Sequence, residues 1–285
     1  ATINFGGTQM NLETAATTTF YGDVNILSNT TLDAPRGNGN WATAGPNIAG
    51  TMTVGENITL TITGNARMKI NDDATLLLKN GAKVERTGTE PGAYYIKGSL
   101  ATAENAEASF ISSNDVHLNY INTNADSSLS DTGGSIDVAQ GSTLVVDVAN
   151  LTSYGNAAIN VAAGATLDVS GTDNVNLQGN IALNLKDQAK ILGTLKANSS
   201  TGTVTIDTTG AASIGTLNLS AGTLNVNGSG TLGMGAFTVS GGSATLKSGV
   251  NITTLTQTGG TVRLENSSSS LGTKKNIHSL VIGDA

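Results

Sequence analysis

Asp72 and Asp73 form the only adjacent acidic pair in the sequence and are its best candidates for acid–base chemistry. Enzymes that cleave a glycosidic bond usually use a pair of carboxyl groups as their catalytic residues. Four basic residues lie near the pair in the sequence and could share its face: Lys69, Lys79, Lys83 and Arg86. A structural interpretation competes with this one. The pair stands just before Ala74 and Thr75, at the position where other repeats carry a glycine turn. Under that interpretation the two aspartates only form a corner of the fold.

Other residue types that commonly serve as nucleophiles or metal ligands are few in this sequence. The chain has no cysteine and two histidines, His117 and His278, which are far apart in the sequence. Zinc normally takes three or four His or Cys ligands at close spacing, so the sequence predicts no metal site of that kind. Isolated acidic residues such as Asp168, Asp173 and Asp207 lack the clustered carboxylates that calcium prefers. No phosphate-binding loop stands between a strand and a helix, and we expect no cofactor.

Three tyrosines are the predicted binding residues: Tyr94, Tyr95 and Tyr120. They share an irregular stretch of the sequence with Phe110 and His117. Aromatic side chains on a polar surface can stack against sugars or anchor a protein partner. The alternative interpretation is that they are isolated tyrosines at the corners of a repeat.

Charge and hydropathy exclude two kinds of partner. The formal net charge is −7 and the 14 basic residues are scattered, so the chain lacks the concentrated basic surface that nucleic acids need. No apolar run approaches the roughly 20 residues that span a bilayer, and we expect no membrane insertion by this segment. The sequence starts at Ala1 with no signal-like segment, so we expect a targeting signal to lie outside it.

A short phrase returns three times between Ser220 and Glu265, as a glycine turn followed by an apolar/polar alternation: residues 221–226, 241–246 and 259–264. Alternation at period two predicts strands with one side inside and one outside, and β-branched residues favour the same backbone. Glycine, Asn and Asp at the breaks favour turns. Helical patterns are nearly absent, and we expect a loop or short strand even at Ser99 to Ala108.

Recurrence of similar content favours a solenoid over a sandwich, whose strands need not resemble one another. The first apolar residues of the phrases are Leu60, Leu76, Leu144, Leu167, Leu183, Val204, Leu224, Leu246 and Val262. From Leu144 onward their spacing is irregular, with the shortest intervals from Leu167 to Leu183 and from Leu246 to Val262. The sequence therefore predicts an all-β parallel β-helix (β-solenoid) of roughly 16–23 residues per coil, with aliphatic stacks inside and Asn ladders at the corners. The run from Thr208 to Leu246 carries no charge, which avoids repulsion between coils roughly 4.8 Å apart.

Two regions depart from the repeat. Residues 1–45 include a turn-rich excursion, and we expect an N-terminal cap or irregular first coils there, because open solenoids need atypical ends. Residues 46–285 are the predicted solenoid, with an irregular loop region near 86–134.

The phrases at 163–171 (Ala-Gly-Ala-Thr-Leu-Asp-Val-Ser-Gly) and 222–228 (Gly-Thr-Leu-Asn-Val-Asn-Gly) resemble the repeats of bacterial type V secreted proteins. Those are the autotransporter passengers and the filamentous-haemagglutinin-like exoproteins. The resemblance covers about residues 50–265 and is one of composition and period. It implies a right-handed parallel β-helix, extracellular or displayed at a Gram-negative outer membrane, that serves in adhesion, aggregation or toxin presentation. The lack of cysteine is similar to that family as well.

The expected function is therefore that of a non-enzymatic adhesin or rigid stalk that binds a glycan or protein on host or bacterial cells. Three alternatives stay open: a polysaccharide-degrading or phage-tailspike-like enzyme that uses Asp72 and Asp73, a rod that self-associates through its Asn, Thr and Ser side chains, and a toxin-presenting passenger. Threonines at 59, 61 and 63 and at 201, 203 and 205 suggest an ice-binding ladder, but the other coils do not keep both threonines.

Overall fold

The structure is a computed structural model that describes residues 2–11, 17–33, 45–63, 68–87, 94–119, 133–247, 249–265, 270–275 and 280–282. Within these ranges every regular element is a β-strand and there is no helix. The all-β expectation is thus confirmed, and the stretch from Ser99 to Ala108, expected to be a loop or short strand, begins with a short strand at Ser99–Thr102.

The strands are short and follow one another closely. The first twelve are β1 (Thr2–Phe5), β2 (Gln9–Asn11), β3 (Thr17–Phe20), β4 (Asp23–Ile26), β5 (Thr30–Asp33), β6 (Gly45–Ile48), β7 (Thr51–Val54), β8 (Thr59–Thr63), β9 (Met68–Ile70), β10 (Thr75–Leu78), β11 (Lys83–Arg86) and β12 (Tyr94–Ile96). The next ten are β13 (Ser99–Thr102), β14 (Glu107–Ser112), β15 (Val116–Leu118), β16 (Ser135–Val138), β17 (Thr143–Val148), β18 (Asn150–Ser153), β19 (Asn156–Val161), β20 (Thr166–Asp168), β21 (Asn174–Leu177) and β22 (Asn180–Lys186). The last ten are β23 (Lys190–Ala197), β24 (Thr203–Thr209), β25 (Ala211–Leu219), β26 (Thr223–Gly228), β27 (Thr231–Val239), β28 (Ser243–Leu246), β29 (Gly249–Gln257), β30 (Thr261–Leu264), β31 (Ser270–Lys275) and β32 (Leu280–Ile282).

These strands form three parallel faces around one interior. Face A is a sheet of thirteen strands, in the order β1, β4, β7, β10, β13, β16, β19, β22, β24, β26, β28, β30 and β32. Face B runs through β2, β5, β8, β11, β14, β17, β20 and β23. Face C runs through β3, β6, β9, β12, β15, β18, β21 and β23. Through β22 each coil adds one strand to each face, and the predicted parallel β-solenoid is confirmed, with about 23 residues per coil.

Coil length is set by the register between neighbouring strands of one face. On face A, Thr51 pairs with Thr75, and Thr75 pairs in turn with Ser99. Farther along the same face, Thr203 pairs with Thr223 and Ser243 pairs with Thr261. The paired residue numbers differ by less at each of these later steps. The coils therefore become shorter toward the C-terminal end.

The shortest of the predicted intervals are not coils. Leu167 lies in β20 on face B, whereas Leu183 lies in β22 on face A, so that interval joins two faces of the solenoid. The other short interval, from Leu246 to Val262, is displaced within face A, because Leu246 pairs with Leu264 and not with Val262. The phrase recurs on more than one face, since every face has the same need for an alternating strand after a turn.

The shorter C-terminal coils arise at the corner between faces B and C. In the coil of β20 and β21, a separate connection leads from Asp168 to Asn174. One coil later, β23 pairs with both strands and continues through the corner at Gly193, with a register shift between Ile191 and Thr194. From there on, one long bent strand per coil replaces two short ones.

A single aliphatic core runs from Val24 to Leu264. Leu224 and Val226 show the pattern, because both are fully buried while Thr223 and Asn225 beside them are half-exposed. In-register pairing places inward residues over inward residues, as in the stack of Val204, Leu224 and Ala244. The stacked core stabilises the solenoid by the hydrophobic effect without any disulfide.

The described part of residues 1–45 joins this stack, since β1 pairs with β4 and β4 pairs with β7 on face A. Within the region 86–134, residues 94–119 form strands in register with their neighbours. The widest step between described strands of face A also lies there, where Ser99 pairs with Ser135. The proposed boundary at residue 45 stays a prediction.

Candidate functional site

Tyr94 and Tyr95 are neighbours in β12 and point to opposite sides of face C. Tyr94 is only 2% exposed and packs edge-on against Phe110 inside the solenoid, with ring centroids 4.9 Å apart. The guanidinium carbon of Arg86 lies 5.8 Å from the centre of the Tyr94 ring. The prediction that Tyr94 is a surface aromatic is therefore wrong, because alternation places it in the core. Tyr120 lies outside the described residues.

The buried cluster of Tyr94, Phe110 and Arg86 is part of the interior packing. Burial raises the pKa of Tyr94, which keeps the phenol neutral at ordinary pH. Burial also lowers the pKa of Arg86, whose side chain is only 5% exposed. Its in-register neighbours on the two adjacent coils are Ile62 and Ser112. The arginine and the two aromatic rings fill the interior where the aliphatic stack is interrupted.

Tyr95 belongs to a strip of three rings along the outside of face C. His117 pairs with Tyr95 one coil farther along, and their rings are nearly parallel, with centroids 5.3 Å apart. Tyr154 follows just after β18, with its centroid 5.8 Å from that of His117. We call Tyr95, His117 and Tyr154 the aromatic strip. Sequence reasoning found Tyr95 but missed the other two as its partners, because only the coil register brings these positions together.

The edge of the strip nearest the N-terminus is basic. Lys69 in β9 is the in-register neighbour of Tyr95 on face C. The strip therefore presents a cation followed by three rings, in line with the long axis of the solenoid. A surface of this kind suits a polar partner that also offers an apolar patch. His278, the second histidine, lies outside the described residues.

Asp72 and Asp73 form the corner at which face C turns into face A. The Ala74 amide donates to the Asn71 carbonyl oxygen at 3.1 Å, and Asp73 has a φ of 61°, so residues 71–74 form a tight turn. The structural interpretation of the pair as a corner is confirmed. Aspartate is one of the few residues besides glycine that adopt this φ with little strain.

The basic residues predicted to share this face do not line the aspartate corner. Lys83 pairs with Glu85 at 2.5 Å on face B, and Arg86 points into the interior. The lysine that does accompany the aspartates is Lys97, one coil farther along at the same corner. Its placement beside Asp73 depends on a coil length that the local sequence did not reveal.

We call the cavity at this corner the corner pocket. It has a volume of about 240 Å³ and is lined by polar residues from three successive coils. The lining residues used below are Asp72, Asp73, Lys97, Ser99 and Ser135. Lys97 is 8% exposed, and neither its Nζ nor Asp72 Oδ1 has a hydrogen-bond partner among the described residues.

A polar ladder lies beside the corner pocket on the outside of face A. The Asp137 carboxylate accepts hydrogen bonds from the Ser99 and Ser135 hydroxyls and from the Asn160 amide at 2.5 Å. The Asn184 amide then donates to Asn160 at 2.7 Å. A shallow cavity of about 430 Å³ extends over this ladder.

The Asn ladders lie mostly in the strands and not at the corners, where the sequence analysis predicted them. Asn160 and Asn184 are outward residues of β19 and β22. The Asn174 amide likewise donates to Asn150 at 2.9 Å between neighbouring strands of face C. Such ladders use the side chains to satisfy one another from coil to coil.

The threonine-rich segments do not form one ladder. Thr59, Thr61 and Thr63 belong to β8 on face B, whereas Thr203 and Thr205 belong to β24 on face A. They therefore lie on different faces of the solenoid. A continuous flat threonine array does not arise from these two segments.

Neither a metal cluster nor a membrane-spanning helix is found among the described residues. They contain no group of three or more His, Cys, Asp or Glu side chains arranged to hold a metal ion. They also contain no helix with the length and apolar character needed to cross a membrane. Comparison of the chain with protein-family models, with curated proteins and with solved structures found no match.

Proposed function

We propose that this chain is a non-enzymatic β-solenoid that acts in adhesion, as an adhesin or as the rigid stalk of one. The observation that carries the proposal is the unbroken face A, in which thirteen parallel strands stack without an insertion into the sheet. At roughly 4.8 Å per step, such a stack makes a rod about 60 Å long. Rods of this kind place a contact surface at a fixed distance from their anchor.

The outside of the rod also supports this proposal. Ladders such as Asp137, Asn160 and Asn184 satisfy their own hydrogen bonds, and the run from Thr208 to Leu246 has no charge. Among the described residues, this ladder and this uncharged run therefore offer few unsatisfied groups to a partner. The aromatic strip differs from it and is the proposed contact surface for a glycan or protein on a host or bacterial cell.

The proposed location is extracellular, secreted or displayed at a Gram-negative outer membrane. Its support is the resemblance of residues 50–265 to type V secreted proteins, together with a fold that needs no disulfide. Because each new coil buries aliphatic surface against the previous one, coil-by-coil folding would help secretion. Toxin presentation would use the same rod as a carrier.

Binding of the purified chain to cells tests the proposal. We expect saturable binding of labelled wild-type chain to host or bacterial cells, and weaker binding of Tyr95→Ala, which removes one ring from the strip. Tyr21→Ala is the matched control, because Tyr21 is 78% exposed and lies outside the strip. Equal binding by the two variants would contradict the role of the strip, and no binding by wild-type chain to any cell would contradict the adhesin proposal.

The enzyme alternative has one specific observation in its favour, namely that Asp72, Asp73 and Lys97 line one pocket. A depolymerisation assay on a panel of polysaccharides separates the two functions. The adhesin proposal expects glycan length to be unchanged after long incubation. Shortening by wild-type chain that disappears in Asp72→Asn would replace it with the enzyme.

Self-association is tested by sedimentation velocity over a wide range of protein concentration. A rod that binds other cells as a monomer keeps one sedimentation coefficient. A coefficient that rises with concentration would instead favour rods that pair through their side faces.

A further inference from the structure

The corner pocket lies at the corner between faces C and A, where the residues differ between the N-terminal and the C-terminal coils. In the C-terminal coils, the corner between faces C and A is a column of glycines that includes Gly202, Gly222 and Gly242. In the coils of β10 and β13, the same corner carries Asp72, Asp73 and Lys97. This corner therefore combines charged side chains with Gly98 and Gly133, and the open pocket that they line has a volume of about 240 Å³.

Two buried polar atoms in this pocket lack partners. Lys97 Nζ and Asp72 Oδ1 are both shielded from solvent, and no hydrogen bond reaches either atom within the described part of the chain. A buried polar group without a partner is destabilising, and more so when it is charged. The Lys97 side chain lines the pocket on a flexible four-carbon stem, so a rotamer change suffices to bring its ammonium to a ligand.

The serine hydroxyls of the pocket are fixed in the direction of their hydrogen bonds. Ser99 and Ser135 both donate their hydroxyl protons to the Asp137 carboxylate. Their oxygen lone pairs are therefore left to accept hydrogen bonds. Together with the carboxylates of Asp72 and Asp73, the pocket offers many acceptors and one cationic donor.

This inventory selects the chemical class of the ligand. Two carboxylates and one ammonium give the pocket a net negative charge, which disfavours an anionic ligand. The Lys97 ammonium in turn disfavours a metal ion. A vicinal diol fits both groups, because one hydroxyl can accept from Lys97 while it or its neighbour donates to Asp72. The volume lies below the roughly 300–1,000 Å³ of pockets for drug-sized ligands, which suits one sugar residue.

We infer that the corner pocket binds one residue of a neutral saccharide, with Lys97 and Asp72 holding adjacent hydroxyls. The inference goes beyond the proposed adhesive function, whose contact surface is the aromatic strip, and adds a separate sugar-binding site. Ser99 and Ser135 accept hydrogen bonds from further hydroxyls of the same sugar. Asp137 orients both serines through the bonds that it accepts from them.

Titration of purified full chain with a panel of neutral hexoses and oligosaccharides, followed by calorimetry and saturation-transfer NMR, tests the inference. We expect binding to at least one neutral sugar. We expect about tenfold or greater weakening in Lys97→Met and in Asp72→Asn, since each variant removes a hydrogen bond to a charged group. Lys190→Met and Asp173→Asn are matched controls at positions outside the pocket and should bind as wild type does.

Thermal unfolding of every variant shows that the pocket has been tested in folded protein. Asp72→Asn keeps the shape of its side chain and serves as the second variant if Lys97→Met fails to fold. Unchanged sugar affinity in both folded pocket variants, or a preference for sugars that carry a carboxylate, would overturn the inference. Cell binding that persists in Lys97→Met while sugar binding is lost leaves the adhesin proposal intact and supports the pocket. If wild-type chain binds a sugar but binds no cells, the adhesin proposal is contradicted and the pocket inference is not.

Discussion

Gly242 lies directly above the carbonyl oxygen of Gly222, so that a side-chain carbon added at Gly242 would stand 2.5 Å from that oxygen. Gly260 has the same relationship to Gly242, at 2.4 Å. All three glycines have positive φ, of 75°, 73° and 65° in chain order. The repeated glycine phrase is thus a column in which each corner rests on the backbone of the corner below.

Gly242→Ala should therefore destabilise the solenoid strongly. Alanine in the left-handed region costs about 1–2 kcal/mol, and the contact with a backbone oxygen cannot be relieved by turning a side chain. We expect the free energy of unfolding to fall by more than this backbone term alone. Chemical denaturation of the purified variant measures the loss.

Two other glycines separate the two causes. Gly164 has a φ of 66° with no atom within 4 Å of an added carbon, so Gly164→Ala reports only the backbone term. Gly233 is not in the left-handed region and its nearest neighbour is at 3.8 Å, so Gly233→Ala should be nearly neutral. Equal losses in Gly242→Ala and Gly164→Ala would show that the stacked carbonyl does not matter.

Tyr94 and Tyr95 provide a test of the two sides of face C. Tyr94→Ala empties an interior site packed against Phe110 and should cost about 3–5 kcal/mol. Tyr95→Ala removes an outward ring stacked on His117 and should cost no more than about 1 kcal/mol. Denaturation of the two variants under the same conditions makes the comparison. Similar losses would contradict the opposite orientation of these neighbours.

Much of the fold could be predicted because every strand obeys the same local rule. The alternation in Thr223, Leu224, Asn225 and Val226 fixes which residues are buried, whatever the strand pairs with. Coil length could not be read in the same way. Leu167 and Leu183 begin similar phrases on different faces, and only the pairing of strands tells the faces apart.

The candidate site was less predictable than the fold because it depends on register. Tyr154 joins His117 although the two are far apart along the chain, and the length of the intervening coil decides that meeting. Lys97 likewise reaches the corner of Asp72 only because the coil between them closes after one full turn. The local sequence identifies such residues one at a time and does not show which of them meet.

Asn160→Asp should destabilise face A in a salt-dependent way. The substitution replaces the amide that donates to Asp137 and places two carboxylates on adjacent coils, roughly 4.8 Å apart. We expect a loss of about 1–2 kcal/mol at neutral pH, from the missing hydrogen bond and from repulsion between like charges. Added salt should recover part of the repulsion. Thermal unfolding at low and high ionic strength measures both effects.

Asn225→Asp is the matched control for this ladder. Asn225 is also an outward residue of face A, but its in-register neighbours are Thr205 and Thr245. A new carboxylate there meets no like charge at the paired position of either adjacent coil. If the two variants lose the same stability and respond equally to salt, repulsion within the Asp137 ladder is not the cause.

Glu85 should give the protein a small component of stability that disappears in acid. A hydrogen bond from Lys83, at 2.5 Å, is the main cause that holds the pKa of Glu85 below its ordinary value of 4.5, and the Thr61 hydroxyl donates to the same carboxylate at 3.1 Å. Because the folded pKa is the lower one, this stabilisation is fully present above the unfolded pKa and is lost as the pH falls through the folded pKa. Wild-type chain should therefore lose more stability than Glu85→Gln when the pH is lowered from about 6 to about 3. Glu107→Gln, which removes an exposed carboxylate from the neighbouring coil, should follow the wild-type profile. Parallel unfolding profiles for wild type and Glu85→Gln would show that the Lys83–Glu85 contact does not contribute to folding.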